Sequence, residues 1–135
     1  MVVVDMDEKD PMGHCNLGSV YSAKNMVEEA ILCFKKASEL DPDSSIPHTN
    51  LGSLYGSLNK VESAIKEFKI ASELNPGDAY AWYNLYNCYK DVGRTKQAQE
   101  AFKKFETLSN EASGNVKSDL TVETVQTADS AVRNT

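Results

Sequence analysis

Apolar residues recur every three or four positions through most of this chain, a spacing that places them on one face of an α-helix. One such stretch covers about 12–24, and Leu17, Val20 and Tyr21 share its apolar face. A second covers about 27–40. Its apolar face consists of Val27, Ala30, Ile31, Phe34 and Ala37. Charged residues fill the opposite face, as on a helix exposed to solvent. The pattern predicts two amphipathic helices joined by a short turn.

The helix pair is repeated with a period of 34 residues. H-C-N-L-G-S-V-Y at 14–21 returns as H-T-N-L-G-S-L-Y at 48–55 and, altered, as W-Y-N-L-Y-N-C-Y at 82–89. A period of this length is typical of stacked helical units, each of which needs its neighbours to bury its apolar face. We therefore expect three units, at residues 11–44, 45–78 and 79–112.

Turn residues recur with the same period. Asn25, Asn59 and Gly93 follow the first helix of each unit, and Asn and Gly accept a left-handed backbone conformation more readily than other residues. We expect a helix to end at each of them. Asp10 and Asp78 precede first helices and are suited to cap the free N–H groups there.

The repeats resemble the tetratricopeptide repeat family, whose pattern is W-x2-L-G-x2-Y, then A-x3-F, then P. The first copy matches at Leu17, Gly18, Tyr21, Ala30, Phe34 and Pro42, the second at Leu51, Gly52, Tyr55, Ala64, Phe68 and Pro76, and the third at Trp82, Leu85, Tyr89, Ala98 and Phe102. The resemblance covers residues 11–112. It implies an all-α fold, a right-handed α-α superhelix of three stacked helix-turn-helix units.

Several residues depart from the family pattern. His14 and His48 occupy the Trp position, where we expect them to pack into the wall between repeats. Tyr86 replaces the Gly at the close contact, so the last helix pair should splay or the Tyr ring should turn into the groove. Phe105 replaces a repeated Ala, and Asn110 replaces a repeated Pro. We therefore expect no standard fourth unit, and an array that ends near Asn110.

The two ends of the sequence differ from the repeats. Residues 1–10 form an acidic lead-in. Residues 113–135 are rich in Ser and Thr and have no aromatic side chain, which favours a flexible tail. The alternative is a capping helix over Phe102 and Phe105. Its apolar residues at helical spacing would be Val122, Val125, Ala128 and Val132.

Composition narrows the classes of function. The net charge of −6 argues against nucleic-acid binding, which needs a concentrated basic surface. Three cysteines without a C-x-x-C pair are typical of a reducing compartment.

No apolar stretch approaches the roughly 20 residues of a membrane span, and we expect a cytoplasmic location. His14 and Cys15 do not complete a zinc site. The sequence indicates neither a cofactor nor a catalytic centre.

The resemblance implies that the first helices line a concave groove. Groove-facing positions include Cys15, Ser19 and Ser53. The candidate peptide-binding residues are Asn16, Asn50, Tyr80, Tyr83, Asn84, Asn87 and Lys90. The three amides at 16, 50 and 84 lie one repeat apart and can both donate to and accept from a peptide backbone. Tyr80 and Tyr83 would offer aromatic contact area, which recognition surfaces favour.

These features indicate a non-catalytic adaptor or scaffold that binds a peptide segment of another protein. In related co-chaperones, Lys and Arg on the first helices clamp the acidic tails of chaperones. Here those positions carry Cys15, Ser19, Tyr80 and Asn84, and only Asn50 matches. We therefore expect no carboxylate clamp.

Two alternative interpretations remain open. The chain could be a fragment or relative of the targeting array of a larger enzyme, such as a glycosyltransferase. It could also self-assemble through its two apolar end repeats.

Overall fold

The computed structural model describes residues 8–113, and within that range it contains six α-helices and no β-strand. The helices are α1 Pro11–Ala23, α2 Val27–Leu40, α3 Ile46–Ser57, α4 Val61–Leu74, α5 Ala79–Asp91 and α6 Thr95–Ala112. The all-α fold expected from the periodicity is confirmed. Residues 1–7, which include most of the predicted lead-in, and residues 114–135, on which the predicted tail or capping helix falls, lie outside the described range.

Local chemistry starts α1 and α5 where the sequence predicts. The Asp10 side chain accepts a hydrogen bond from the Met12 N–H at 3.1 Å, and Pro11 occupies the first turn of α1. The Asp78 side chain accepts from the Tyr80 N–H at 3.0 Å. Each carboxylate satisfies a backbone donor that has no partner inside the helix. Both predicted N-caps are confirmed.

The turns inside the units also follow the prediction. The φ angles of Asn25 and Asn59 are both 63°, and that of Gly93 is 78°. Beyond each of these residues, the next N–H donates to the carbonyl of the repeated tyrosine of its unit. The bonds run from Met26 to Tyr21, from Lys60 to Tyr55 and from Arg94 to Tyr89, at 2.8–2.9 Å. This bond closes the end of the first helix and redirects the chain into the second.

Each of the first two helix pairs closes on a glycine that faces a phenylalanine ring. A Cβ added at Gly18 would lie 2.7 Å from Cε1 of Phe34, and one added at Gly52 would lie 2.7 Å from Cε1 of Phe68. Phe34 and Phe68 are both buried. Hydrogen at the glycine position therefore lets the two helices of a unit approach as closely as they do.

Two buried clusters join the three units. Ala30 and Phe34 of α2 pack with Leu51 and Leu54 of α3. The larger cluster joins α4, α5 and α6. It consists of Ala64, Ile65, Phe68, Leu85, Tyr89, Ala98 and Ala101. Each second helix therefore packs on the first helix of the next unit.

The third unit departs from the other two, as its sequence does. The Tyr86 ring lies 4.9 Å from the Phe102 ring, centroid to centroid, and Phe102 is only partly buried, unlike Phe34 and Phe68. Phe102 lies in the last unit, and no later helix of the described residues covers it. Helix α6 has 18 residues, whereas α2 and α4 have 14, and it continues through Asn110, where the earlier units have proline.

Two expectations at the residue level are wrong. Val20 was expected on the apolar face of α1, but it is 49% exposed. Cys15 was expected to face the groove, but it is buried. Both lie on α1, whose apolar face is short and shares its edges with Ser and Gly residues. The buried side of such a helix depends on how the neighbouring helix packs against it. The local pattern of apolar residues does not specify that side.

Candidate functional site

A shallow depression of about 340 Å³ lies between the first helices α1 and α3. Its lining residues are Ser19, Ser22, Ala23, Phe34, Asn50, Ser53, Leu54 and Ser57. Four serines and one amide surround a small apolar floor. Hydroxyl and amide groups can both donate and accept hydrogen bonds, so the lining suits the alternating polar groups of a peptide backbone.

The three repeated asparagines lie in different environments. Asn16 is exposed on α1. Asn50 is partly buried. Burial raises the pKa of the Cys15 thiol, and the neighbouring Asn50 amide partly offsets the rise. The Asn84 Nδ2 atom is buried and has no hydrogen-bond partner among residues 8–113. The three amides therefore do not form a uniform exposed row.

Tyr80 connects α5 to the depression. Its side chain is 53% exposed, and its hydroxyl lies 3.5 Å from Ser53 Oγ on α3. Asn87 is partly buried and Lys90 is exposed on the same helix. Of the predicted residues, Asn50 and Tyr80 thus lie at the depression or next to it.

Tyr83 belongs to a different surface. It packs on Phe105 at 5.0 Å and on Tyr86 at 6.2 Å, and Phe102 completes the group. We call these four residues the aromatic cluster. Lys90 Nζ lies 5.0 Å from the centroid of the Tyr86 ring, at a distance typical of a cation–π contact. The structure therefore places the Tyr83 ring against α6 and Lys90 Nζ beside Tyr86 of its own helix, α5.

A larger cleft, of about 740 Å³, separates α4 from α6. This cleft was not predicted from the sequence. At the equivalent positions of the second unit, His48 Nδ1 donates to Glu67 Oε1 at 2.8 Å. One period later, Trp82 replaces His48 and the small Ala101 replaces Glu67. This replacement of a His and Glu pair by Trp and Ala was the sequence feature from which the cleft could have been predicted. We call this space the α4–α6 cleft.

The floor and rim of the α4–α6 cleft differ in character. Trp82, Leu85 and Tyr89 of α5 contribute apolar surface, and the Trp82 indole N–H donates to the Pro76 carbonyl at 3.1 Å. Burial raises the pKa of the Tyr89 hydroxyl. The charged residues that line the cleft are Lys69, Glu73, Glu100, Lys103, Lys104 and Glu111.

Family comparisons identify the class of protein. One tetratricopeptide repeat model matches residues 11–44, and a second matches residues 47–78 and 79–111. The chain belongs to the tetratricopeptide repeat family. Repeats of this family are typically non-catalytic interaction modules. A search of curated proteins returned no significant match.

Solved structures share the fold. The crystal structure of MamA aligns with a TM-score of 0.76 and 21% identity, over 79% of this chain and 63% of that chain. The chain thus spans about three fifths of the length of MamA. The second repeat domain of Spaghetti (RPAP3), bound to the HSP90 peptide SRMEEVD, aligns with a TM-score of 0.68 and 19% identity, over 75% of this chain and 88% of that chain. The first repeat domain of Spaghetti (RPAP3), bound to the same peptide, aligns with a TM-score of 0.69 and 22% identity. The alignment covers 78% of this chain and 84% of that chain.

The helices can also be compared with the length of a membrane span. Among residues 8–113, no helix combines the length and the apolar character needed to cross a bilayer.

Proposed function

We propose that this protein is a non-catalytic adaptor that holds a peptide segment of a partner protein along α1, α3 and α5. The observation that carries the proposal is the depression between α1 and α3, with the exposed Tyr80 ring beside it. Structural relatives that hold a peptide support the same general role. An extended segment could place its backbone against Ser19, Asn50 and Ser53 and an apolar side chain against Tyr80.

The other candidate residues extend this surface. Asn16 is exposed at one end, while Asn84 and Asn87 are partly buried on α5. An amide donor without a protein acceptor, such as Asn84 Nδ2, gains a partner if its side chain rotates towards a peptide carbonyl. Tyr83 and Lys90 would contact only a partner that reaches the aromatic cluster.

The ligand of this groove should not be an acidic chaperone tail. The depression has no Lys or Arg among its lining residues, so nothing there would pair with a terminal carboxylate. We expect a fluorescently labelled SRMEEVD peptide to show no saturable change in anisotropy at protein concentrations that saturate a carboxylate clamp. Saturable binding of that peptide at the depression would contradict this part of the proposal.

The proposal can be tested by photo-crosslinking. A photoreactive amino acid at Ser53, in the depression, should capture a partner from native cell extract, whereas the same group at the exposed Lys66 of α4 serves as the control. Mass spectrometry then identifies the captured segment, which is synthesised as a peptide for measurements of affinity.

Variants then test the groove directly. Tyr80→Ala should weaken binding of that peptide at least about fivefold, because truncation of a central interface aromatic costs more than about 1 kcal/mol. Leu32→Ala removes a side chain that is 68% exposed on α2 and should leave the affinity unchanged. Equal capture from positions 53 and 66, or equal affinity of the wild type and Tyr80→Ala, would refute the groove assignment.

The aromatic cluster favours self-association as a second candidate function. Tyr83 is 42% exposed there, on the face where a following unit would pack. Light scattering over a concentration series should show a rising mass if copies meet through this face, and Phe105→Ala should reduce the rise. A constant monomer mass at all concentrations would exclude this function.

A further inference from the structure

The α4–α6 cleft is large enough to hold a polypeptide segment. Its volume of about 740 Å³ falls within the range of roughly 300–1,000 Å³ typical of ligand pockets. It follows α6 from Gln97 to Glu111, which corresponds to about 21 Å at 1.5 Å per residue. Trp82 and Leu85 give it an apolar floor. Such a floor and length suit a chain that lies along the cleft.

Charges along the cleft follow an order. Glu73 and Glu111 lie towards the carboxyl ends of α4 and α6, three lysines lie in the middle, and Glu100 lies near the other end. The three lysines are Lys69, Lys103 and Lys104. Within residues 8–113, none of these six side chains forms an ion pair. Lys104 Nζ lies 5.7 Å from the centroid of the Trp82 ring, so positive charge adjoins the apolar floor.

The part of the chain after α6 starts at the end of this cleft. Helix α6 ends at Ala112, beside Glu111, which lines the cleft. The sequence continues through residues 114–135. An extended chain covers about 3.3 Å per residue, so about seven residues span the cleft, and the segment is long enough to turn back and follow it.

The charges of residues 114–135 appear in an order that complements the cleft. Lys117 comes first, Asp119, Glu123 and Asp129 follow, and Arg133 comes last. Leu120, Val122 and Val125 stand among the acidic residues. A segment that turns back along α6 would bring its first cation to Glu111 and its acidic residues to the lysines. It would also bring its apolar residues to Trp82.

We propose that residues 117–123 occupy the α4–α6 cleft, antiparallel to α6, with Asp119 and Glu123 opposite Lys69, Lys103 and Lys104. The aromatic cluster is the other surface within reach, but its four rings already pack on one another at 4.9–6.2 Å. A partner that uses the cleft must displace this segment and must offer the same combination of acidic and apolar groups.

Trp82 is the only tryptophan of the sequence and lines the cleft, so its fluorescence reports occupancy in the full chain. In the variant Asp119→Lys/Glu123→Lys, like charges repel the segment from the cleft. Acrylamide should then quench Trp82 about twofold faster, and its emission should shift to the red. The control Asp5→Lys/Asp7→Lys makes the same charge change at the other end and should behave as wild type.

Reversing charges in the cleft provides a second test. Lys103→Glu/Lys104→Glu should increase quenching, and combining it with the tail variant should restore the wild-type value. A carbodiimide should also join Asp119 or Glu123 to Lys69, Lys103 or Lys104 in the wild-type chain, as mass spectrometry would show. Unchanged quenching in the tail variant, or carbodiimide products that join the tail to Lys90 instead, would overturn the proposal. The variant Asp119→Lys/Glu123→Lys alters no residue of α1–α6, so a change in its quenching would not result from a change within these helices.

Discussion

At the scale of single residues, a few atoms set how closely the helices of a unit approach. Gly18 and Gly52 each face the ring of a buried phenylalanine at a distance that leaves no room for a methyl group. Gly56 lies in the same helix as Gly52, but a Cβ there would meet nothing within 4 Å. Of the two glycines of α3, Gly52 therefore has no room for a methyl group, whereas Gly56 has open space. This difference allows a matched test.

Gly52→Ala should destabilise the protein. The new methyl group would lie 2.7–2.8 Å from the Phe68 ring, and that ring is buried and cannot move aside without disturbing the cluster. Overpacking of this kind costs about 1–3 kcal/mol in the free energy of unfolding. Urea denaturation followed by circular dichroism measures the change.

Gly56→Ala is the control for that measurement. It adds the same methyl group to the same helix in open space, where alanine is better than glycine by up to about 1 kcal/mol. The two variants should therefore move the urea midpoint in opposite directions. If the urea midpoint rises for both variants, the contact with Phe68 does not limit the size of the side chain at position 52.

At the scale of elements, the turn between α3 and α4 depends on one backbone conformation. Asn59 has a φ of 63°, and the Lys60 N–H then donates to the Tyr55 carbonyl at 2.9 Å. Asn59→Val should lower the free energy of unfolding by about 1–2 kcal/mol, because a β-branched residue is strained in the left-handed region. Thermal unfolding provides the measurement. Asn59→Gly, which relieves the strain, should be as stable as wild type; equal losses for Val and Gly would point to a lost side-chain contact instead.

These elements also show how far the sequence specifies the structure. The caps at Asp10 and Asp78 and the turns at Asn25 and Asn59 were predictable because each depends on residues within the same few positions. The all-α architecture followed from the period, since every unit repeats the same local chemistry.

The surfaces were less predictable because they depend on pairs of distant residues. Tyr83 stays a predicted groove residue, but its contact with Phe105, 22 positions away, was not predicted. The α4–α6 cleft arises where Ala101 lies near Trp82, whereas one unit earlier Glu67 reaches His48. Periodicity alone identifies equivalent positions; it does not show which departures leave a space open.

At the scale of the whole molecule, the two buried clusters are unequal. The α2–α3 interface buries four residues in one cluster, whereas the cluster that joins α4, α5 and α6 contains seven. Tyr55 packs against both clusters. In a linear array, stability is close to a sum of unit and nearest-neighbour contributions, so the larger cluster should dominate the free energy of unfolding.

Two pieces of equal length, residues 11–78 and 45–112, separate these contributions. The first retains the smaller cluster whole, and the second retains the larger one. The piece 45–112 should be more stable by roughly 2–4 kcal/mol, since each large apolar side chain that is fully buried contributes about 1.5–3 kcal/mol. Urea titration of both pieces, followed by circular dichroism, gives the two free energies. If 11–78 unfolds at the higher urea concentration, the third unit draws its stability from the first two, and the aromatic cluster on its outer face is a net cost to the array.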